Sequence, residues 1–218
     1  SAGGGAVAAP TQTGPGDDVR INEIQVVGSH NSYHLLPSPE EMALRRSVIQ
    51  AGADLMEYRH LPLPQQFGEQ KVRQIELDVF VDSAGGRYAN PLLRAAAGNT
   101  EPMDPAWSRP GLKVFHIQDV DYDTTCVMLE DCLRIVKGWS DANPTHVPLA
   151  ILLELKDSPL VLGDLPFVVP EPFDAAAMAE VDDVIRSVFG ADELITPDDV
   201  RGAHATLPDA IAADGWPT

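Results

Sequence analysis

The sequence predicts an α/β fold in which a parallel sheet is flanked by crossover helices. Two observations predict it. Short apolar runs with the character of buried strands alternate with longer segments whose apolar residues have helical spacing. Each apolar run also leads into, or contains, a residue suited to catalysis or metal binding, as at the carboxyl edge of a parallel sheet. With 218 residues, 44% of them hydrophobic, the chain can bury a sizeable core, most simply as one domain.

The predicted strands and helices follow one another in chain order. The runs predicted to be strands are residues 24–27, 74–81, 112–117 and 149–155. The segments predicted to be helices are residues 40–53, 127–139, 175–189 and 203–213. Prolines interrupt residues 58–67, and an apolar, proline-rich loop is expected at residues 159–173. No buried strand is predicted after residue 157, so the sequence accounts for about four strands.

The charge balance limits the partners of the chain. It has 15 Lys and Arg against 33 Asp and Glu, a net charge of −18. This argues against nucleic acid as a partner and suits cation binding, although an acidic excess is more often solvated surface. No run is long and apolar enough to span a bilayer. Residues 1–19, rich in Gly, Ala and Pro, are predicted to be a flexible leader of a processed, secreted protein, and residues 20–218 its folded part.

Cys126 and Cys132 are the only cysteines, too few for a zinc site without nearby partners. Residues six apart in one regular helix are too distant for a disulfide. A bridge therefore requires Cys126 to lie in the loop before the helix, and Thr124 and Thr125 have the character of such a loop. We expect this bridge; the alternative is two reduced, half-buried thiols.

The first strand leads through Gly28 and Ser29 into His30 and Asn31. A group that can transfer protons beside a carboxamide oxygen is a plausible fragment of an active site at a strand end. Both residue types are also common in ordinary turns. The later strands decide between these interpretations.

Glu76 and Asp78 are two positions apart in a predicted strand and therefore share one face. The other face is apolar and should pack against helices, so the carboxylates should point inward, where an unpaired charge is very costly. Like charges held together inside a protein favour a bound cation over a solvated strand. Glu154 interrupts an apolar strand in the same way, and Lys156 is its alternative, purely structural partner. His116 also interrupts an apolar run, although a lone histidine there is more often a core residue.

Taken together, these segments resemble the calcium-dependent phosphoinositide-specific phospholipases C, particularly their secreted bacterial branch. The resemblance covers about residues 21 to 157. The segments that carry it are His30-Asn31-Ser32-Tyr33, Pro62-Leu63-Pro64-Gln65-Gln66, Arg73-Gln74-Ile75-Glu76-Leu77-Asp78-Val79, Phe115-His116 and Leu153-Glu154-Leu155-Lys156. Each is weak alone, but their combination and order are specific.

The resemblance implies a TIM-type (β/α) barrel, of which this chain supplies the N-terminal part, with one Ca²⁺ ion. The metal ligands it implies are Asn31, Glu76, Asp78 and Glu154. Oxygen donors without thiolate or imidazole suit calcium and argue against zinc. The implied catalytic residues are His30 and His116.

In the implied reaction an inositol hydroxyl attacks the phosphodiester of a phosphatidylinositol-type lipid, releasing diacylglycerol and a cyclic inositol phosphate. His116 is the general acid, and the base is either His30 or a ligating carboxylate. One alternative is a glycerophosphodiester phosphodiesterase, although that family has Arg where this chain has Asn31. Spider-venom-type phospholipases D are more distant relatives. Another alternative is a catalytically silent calcium- or carbohydrate-binding barrel, against which both histidines argue.

The same reasoning predicts two partners, a lipid surface and a polypeptide that completes the barrel. The apolar loop after the fourth strand either touches a lipid surface transiently or packs as a lid on neighbouring loops. A complete barrel needs eight strands and typically about 250 residues. We therefore expect a C-terminal fragment or a second chain to complete the barrel; the alternative is that this segment was removed.

Overall fold

The computed structural model describes residues 19–218. The predicted leader, residues 1–19, lies outside this range except for its last residue. The described residues form two compact units, residues 26–191 and a smaller one made of residues 19–25 and 192–218. Among residues 19–218, no helix has the length and apolarity needed to cross a membrane.

The larger unit contains all the strands found among the described residues. They are β1 (Val27–Gly28), β2 (Val72–Asp82), β3 (Gly111–Val114) and β4 (Ala150–Leu155). Its α-helices are α1 (Pro39–Ile49), α2 (Ala51–Asp54), α3 (Leu63–Gly68), α4 (Leu92–Ala96), α5 (Leu129–Ala142) and α6 (Ala175–Val188). The smaller unit contains α7 (Pro197–Arg201) and α8 (Leu207–Asp214). Short 3₁₀ helices occur at Ile21–Glu23, Pro105–Ser108 and Ala191–Glu193.

The sheet is organised around β2, the longest strand. β4 runs parallel to β2 along one edge, with Gln74 opposite Ala150 and Val79 opposite Leu155. Val79 also faces Val114, so β3 lies on the edge opposite β4. The two-residue β1 occupies the start of that same edge. β2 is therefore hydrogen-bonded along both edges. Most of its side chains are also buried, on both faces of the sheet.

The prediction of an all-parallel sheet is wrong at β3. This strand is antiparallel to β2, with Asp82 paired to Gly111. The connection between them therefore leaves and re-enters the sheet at the same end, as in a long hairpin. It does not cross over the sheet. It contains only α4 and a 3₁₀ turn, neither long enough for a crossover.

Alternate residues of β2 form the main core, as predicted. Ile75, Leu77 and Val79 are buried against α5, which contributes Leu129 and Leu133. The apolar residues of α5 recur at helical spacing, which gives it one face to bury. Each fully buried side chain of this kind stabilises the fold by roughly 1.5–3 kcal/mol. This packing leaves the other face of β2 for Glu76, Asp78 and the aromatic side chains beyond them.

The predicted first strand differs from the observed one. Only Val27 and Gly28 are in strand conformation, and the side chain of Val27 is 61% exposed, so a buried strand at residues 24–27 is wrong. The register shifts between these two residues, which ends regular pairing at once. Gly28 lies so close to β2 that a Cβ atom there would be 2.0 Å from Gln74 Oε1. The Gly-Ser sequence thus allows the chain to turn sharply against β2.

In the smaller unit, hydrogen bonds from an arginine join its N-terminal and C-terminal segments. Arg20 Nη1 donates to the carbonyl oxygens of Asp214 (2.8 Å) and Trp216 (2.6 Å), at the C-terminal end of α8. Such contacts satisfy carbonyls that have no partner within the helix. The predicted helix at residues 203–213 begins later than expected, because Thr206 caps α8 by accepting from the backbone N–H of Asp209.

The two cysteines form a disulfide, Cys126–Cys132, with Cα atoms 5.4 Å apart. Cys126 lies in the loop before α5, and Cys132 lies on that helix. The predicted pairing and its geometry are confirmed, and the alternative of two reduced thiols is wrong.

Replacing both cysteines by serine is expected to lower the free energy of unfolding by about 2–3 kcal/mol, because a short closed loop restricts the unfolded chain only modestly. Urea denaturation of the double variant beside the unaltered protein measures the change. Alkylation of native, unreduced protein is the control, since two reactive thiols would contradict the bridge.

Candidate metal centre and active site

Three carboxylates from two strands converge, with an oxygen of each within 4.8 Å of the others: Glu76, Asp78 and Glu154. Glu76 and Asp78 share a face of β2, and the β2–β4 register places Glu154 directly beside Asp78. Asp78 is fully buried and Glu76 nearly so, whereas the side chain of Glu154 is about half exposed. The structure thus brings together three of the residues that the sequence singles out. Only Glu154 is near a strand end, because β2 continues to Asp82.

Lys156 supplies positive charge to this group. Its Nζ lies 3.1 Å from Glu154 Oε1 and 3.3 Å from Asp78 Oδ2. Burial lowers the pKa of Lys156, but the charges of Asp78 and Glu154 and a hydrogen bond to Glu154 outweigh it and raise that pKa overall. Burial raises the pKa of Asp78, and the charge of Lys156 only partly opposes this. One ammonium group therefore compensates three carboxylates incompletely.

The donor set fits a hard divalent cation. Neither oxygen of the buried Asp78 carboxylate has a well-aligned hydrogen-bond partner among the described residues. An unsatisfied buried carboxylate is costly, and a cation beside it would remove that cost. Three carboxylates without a sulfur or imidazole ligand match the preference of Ca²⁺ for oxygen.

Asn31 lies on the sharp turn after β1, with a positive φ of 48° and almost no exposure. Its Nδ2 donates to the hydroxyl of Tyr58 (3.0 Å), and its Oδ1 accepts from the hydroxyl of Tyr33 (3.3 Å). Burial, and then the charge of Asp78, raise the pKa of Tyr33 far above its usual value, which keeps this hydroxyl protonated. The Tyr33 hydroxyl therefore lies near the Asp78 carboxylate while it donates to the amide of Asn31.

Backbone contacts hold this turn against β2. The backbone N–H of Ser32 donates to the carbonyl of Glu76 (3.0 Å), and the N–H of Glu76 donates to Ser32 Oγ (2.9 Å). The fully buried Gln66 donates to the carbonyl oxygen of Ser32 (2.7 Å) and accepts from Ser29 Oγ (2.8 Å). The Pro-Leu-Pro-Gln-Gln segment is thus an anchor for the turn, a role that the sequence alone does not show.

His30 projects from the turn toward the carboxylates. Its side chain is 72% exposed, and Nε2 lies 3.6 Å from Glu76 Oε2. His60 Nε2 donates to the backbone carbonyl of His30 (2.8 Å), which holds the main chain there. His30 is therefore next to the carboxylate group and open to a substrate.

His116 follows β3 in a tight turn and is mostly buried. Its Nδ1 lies 2.8 Å from Oδ2 of Asp121. The same carboxylate contacts His34 through Oδ2 and Arg45 through Oδ1. Burial raises the pKa of Asp121, but hydrogen bonds from the two histidines and the charges of His34 and Arg45 outweigh it and hold this pKa well below its usual range. The backbone N–H of Phe115 donates to the carbonyl oxygen of Asp78, which places His116 beside the metal candidate.

Asp121, His34 and Arg45 are not among the residues predicted from the sequence. Asp121 is one of several acids after His116, and the other two come from distant segments that only the fold brings here. His34, His116 and Asp121 also have the composition of a metal site. The buried guanidinium of Arg45, 3.0 Å from Asp121, already supplies the positive charge and argues against a second ion.

Asp123, two residues after Asp121, has the opposite pKa shift. Burial, together with the charges of Glu41 and Asp121, raises the pKa of Asp123 to about 6. Because the folded-state value lies above the unfolded value of about 3.9, native stability should fall as the pH rises from about 4 to about 6. We expect Asp123→Asn to remove this decline and to be more stable than the unaltered protein above pH ~6 by on the order of 1 kcal/mol. Denaturation at several pH values measures it, and an unchanged pH profile would contradict the burial of this charge.

The family model for Ca²⁺-dependent phosphoinositide phospholipase C matches residues 19–218. No curated protein matches the chain. A solved Ca²⁺-dependent phosphatidylinositol-specific phospholipase C from Streptomyces antibioticus is similar, with a TM-score of 0.50, 21% identity, and coverage of 88% of this chain and 47% of that one. This likeness shows a shared fold.

Two structures of a calcium-dependent phosphoinositol-specific phospholipase C from a Gram-negative Pseudomonas species, one of them a myoinositol complex, also resemble the chain. Each has a TM-score of 0.49 and 22% identity, and covers 93% of this chain and 54% of that one. The chain therefore spans about half the length of these solved structures.

Proposed function

The chain belongs to the Ca²⁺-dependent phosphoinositide phospholipase C family, and from this we propose that residues 20–218 form the N-terminal part of a TIM-type catalytic barrel. The open edge of β4 supports the proposal. Among the described residues β4 pairs only with β2, and Leu152 on it is 53% exposed. An apolar strand with an unpaired edge is costly in water. Further strands, from a C-terminal fragment or a second chain, would cover it.

The reaction we propose is cleavage of a phosphatidylinositol-type lipid by its own inositol hydroxyl, giving diacylglycerol and a cyclic inositol phosphate. The observation that carries it is the convergence of three carboxylates beside two histidines in a chain of a Ca²⁺-dependent family. A glycerophosphodiesterase would require Arg after His30, where this chain has Asn31. A silent calcium-binding barrel would have no use for His116 beside the carboxylates.

Asn31, Glu76, Asp78 and Glu154 would hold the calcium ion. When bound, Ca²⁺ would act as a Lewis acid that lowers the pKa of the attacking hydroxyl and balances charge at the phosphate. The buried Asp78 carboxylate supports this proposal, because it has only the ion pair with Lys156 and no well-aligned hydrogen bond among the described residues. The hydrogen bond from the Tyr33 hydroxyl to Asn31 Oδ1 supports the inclusion of Asn31 in this set.

The two histidines act on protons. Asp121 occupies Nδ1 of His116, so Nε2 is the nitrogen from which a proton can pass to the departing glycerol oxygen. Two groups can accept the proton of the attacking hydroxyl: His30, which is exposed beside Glu76, and a ligating carboxylate. If the carboxylate is the base, His30 stabilises the charged phosphorane.

Access to lipid is proposed at the loop after β4. Val161, Leu165 and Val169 are exposed apolar side chains there, Val161 to 80%. Because the loop follows the strand that carries Glu154, it can touch a membrane surface transiently while the headgroup enters the site. The disulfide supports secretion, since such bridges persist in oxidising compartments.

A panel of phosphodiesters, incubated with calcium or with chelator and followed by phosphorus NMR, tests the function. A cyclic inositol phosphate should form from phosphatidylinositol only with calcium. Glu154→Gln should lose this turnover, while Glu130→Gln, which removes a partly exposed carboxylate from α5, should keep it. Full turnover in excess chelator would refute the proposal.

A further inference from the structure

The fully buried imidazole of His34 lies between two acceptors. Its Nδ1 is 3.0 Å from the backbone carbonyl oxygen of Tyr58, and its Nε2 is 2.9 Å from both oxygens of Asp121. Carbonyl and carboxylate oxygens only accept hydrogen bonds, so His34 faces Asp121 as a donor and fixes the carboxylate from one side. The Tyr58 ring stacks on the imidazole with centroids 4.3 Å apart and holds it in this position.

Arg45 is a buried cation at the same carboxylate. Its Nη2 lies 3.0 Å from Asp121 Oδ1, and neither side chain is exposed to solvent. No nitrogen of this guanidinium has a well-aligned hydrogen bond within residues 19–218. The charge of Asp121 is therefore its main compensation. A buried guanidinium beside a carboxylate is tolerable only when that carboxylate is ionised.

The remaining contact of Asp121 is with His116. Both residues belong to one tight turn, in which the N–H groups of His116 and Ile117 donate to the Asp121 carbonyl and the Asp121 N–H donates to Ile117. Because the carboxylate is ionised and accepts, Nδ1 of His116 has to donate to it. The proton on Nε2 is then the one that His116 can give up, and the ring that remains keeps its proton on Nδ1.

We propose that Asp121 is the positioning residue that sets the tautomer of His116, and that His34 and Arg45 keep Asp121 ionised and fixed. The buried group needs no metal, since its charges are supplied by the chain. The role in the reaction rests on the proposed function, whereas the tautomer is a property of the folded protein. The two can therefore fail separately.

Nitrogen-15 NMR of the histidine-labelled protein tests the geometry without any loss of fold. We expect the neutral form of His116 to carry its proton on Nδ1. Single histidine replacements assign the signals. A neutral His116 with its proton on Nε2 would overturn the proposal whether or not the protein turns over lipid.

Asp121→Asn tests the consequence, with Asp123→Asn as the matched control two residues away. We expect the neutral tautomer of His116 to shift toward Nε2–H in Asp121→Asn only. Turnover of a substrate with a poor leaving group should fall about 10²–10⁴-fold with little change in KM, and much less for an activated leaving group. Equal losses on both substrates, with an unchanged tautomer, would show a merely structural role. If the unaltered protein cleaves no phosphodiester, the proposed function fails while the tautomer result still decides the role of Asp121.

Discussion

Replacing Asp78 by Asn is expected to abolish calcium-dependent turnover and, at the same time, to stabilise the calcium-free protein. Asp78 is fully buried, and neither of its oxygens has a well-aligned hydrogen bond. Its charge is therefore costly without a cation and indispensable with one. Asn keeps the shape and removes the charge, so the two effects should have opposite signs.

Thermal denaturation with and without calcium measures both effects. Calcium binding to the unaltered protein should raise the melting temperature by mass action, and this rise should be absent in Asp78→Asn. In chelator the variant should melt higher than the unaltered protein. Asp131→Asn, which removes a partly exposed carboxylate from α5, is the control and should keep the response. A calcium response retained in Asp78→Asn would exclude Asp78 as a ligand, and a lower melting temperature in chelator would contradict the cost of its burial.

The sequence was sufficient where local pattern and burial cost agree. In β2, apolar residues alternate with Glu76 and Asp78, and this period fixes which side chains share a face. Two carboxylates on an inward face need charge compensation, so the carboxylate cluster could be predicted from this strand. The disulfide was predictable for a similar reason, because six residues separate its cysteines and only one local geometry joins them.

Such patterns of apolar and polar residues do not determine the direction of a strand or its position in the sheet. The segment before Gly28 is as apolar as a buried strand, yet it lies at an edge where only two residues pair. Nothing in residues 111–114 distinguishes an antiparallel strand from a parallel one. That outcome depends on the long connection after Asp82, whose course is set by tertiary contacts.

The charged network behind His116 was missed for a related reason. Arg45 lies in a helix whose apolar positions predicted an ordinary amphipathic face, but the residues buried there are Glu41, Met42 and Arg45. A buried arginine is recognisable only once its partner carboxylate is known. His34, four residues after His30, was a visible signal, although its partner Asp121 is 87 residues away.

Replacing His116 by Ala is expected to reduce kcat by about 10²–10⁴-fold on a phosphatidylinositol with its natural glycerol leaving group. The glycerol oxygen leaves as a strongly basic alkoxide unless it is protonated, and His116 is the mostly buried histidine beside the carboxylates with a fixed orientation. With a phenolate-type leaving group no proton is needed, so the loss should shrink toward unity. KM should change little on either substrate, because the ring is not proposed to hold the headgroup.

The comparison with His30→Ala separates the two histidines. His30 lies beside Glu76 on the side of the attacking hydroxyl, so its loss should be similar for both leaving groups. If the loss of kcat depends on the leaving group in His116→Ala but not in His30→Ala, His116 alone is the general acid. Equal losses on both substrates in His116→Ala would move the general acid to another residue. His146→Ala is the control, since His146 follows α5 and contacts Ser140 and Trp139 away from the carboxylates, and it should retain full turnover on both substrates.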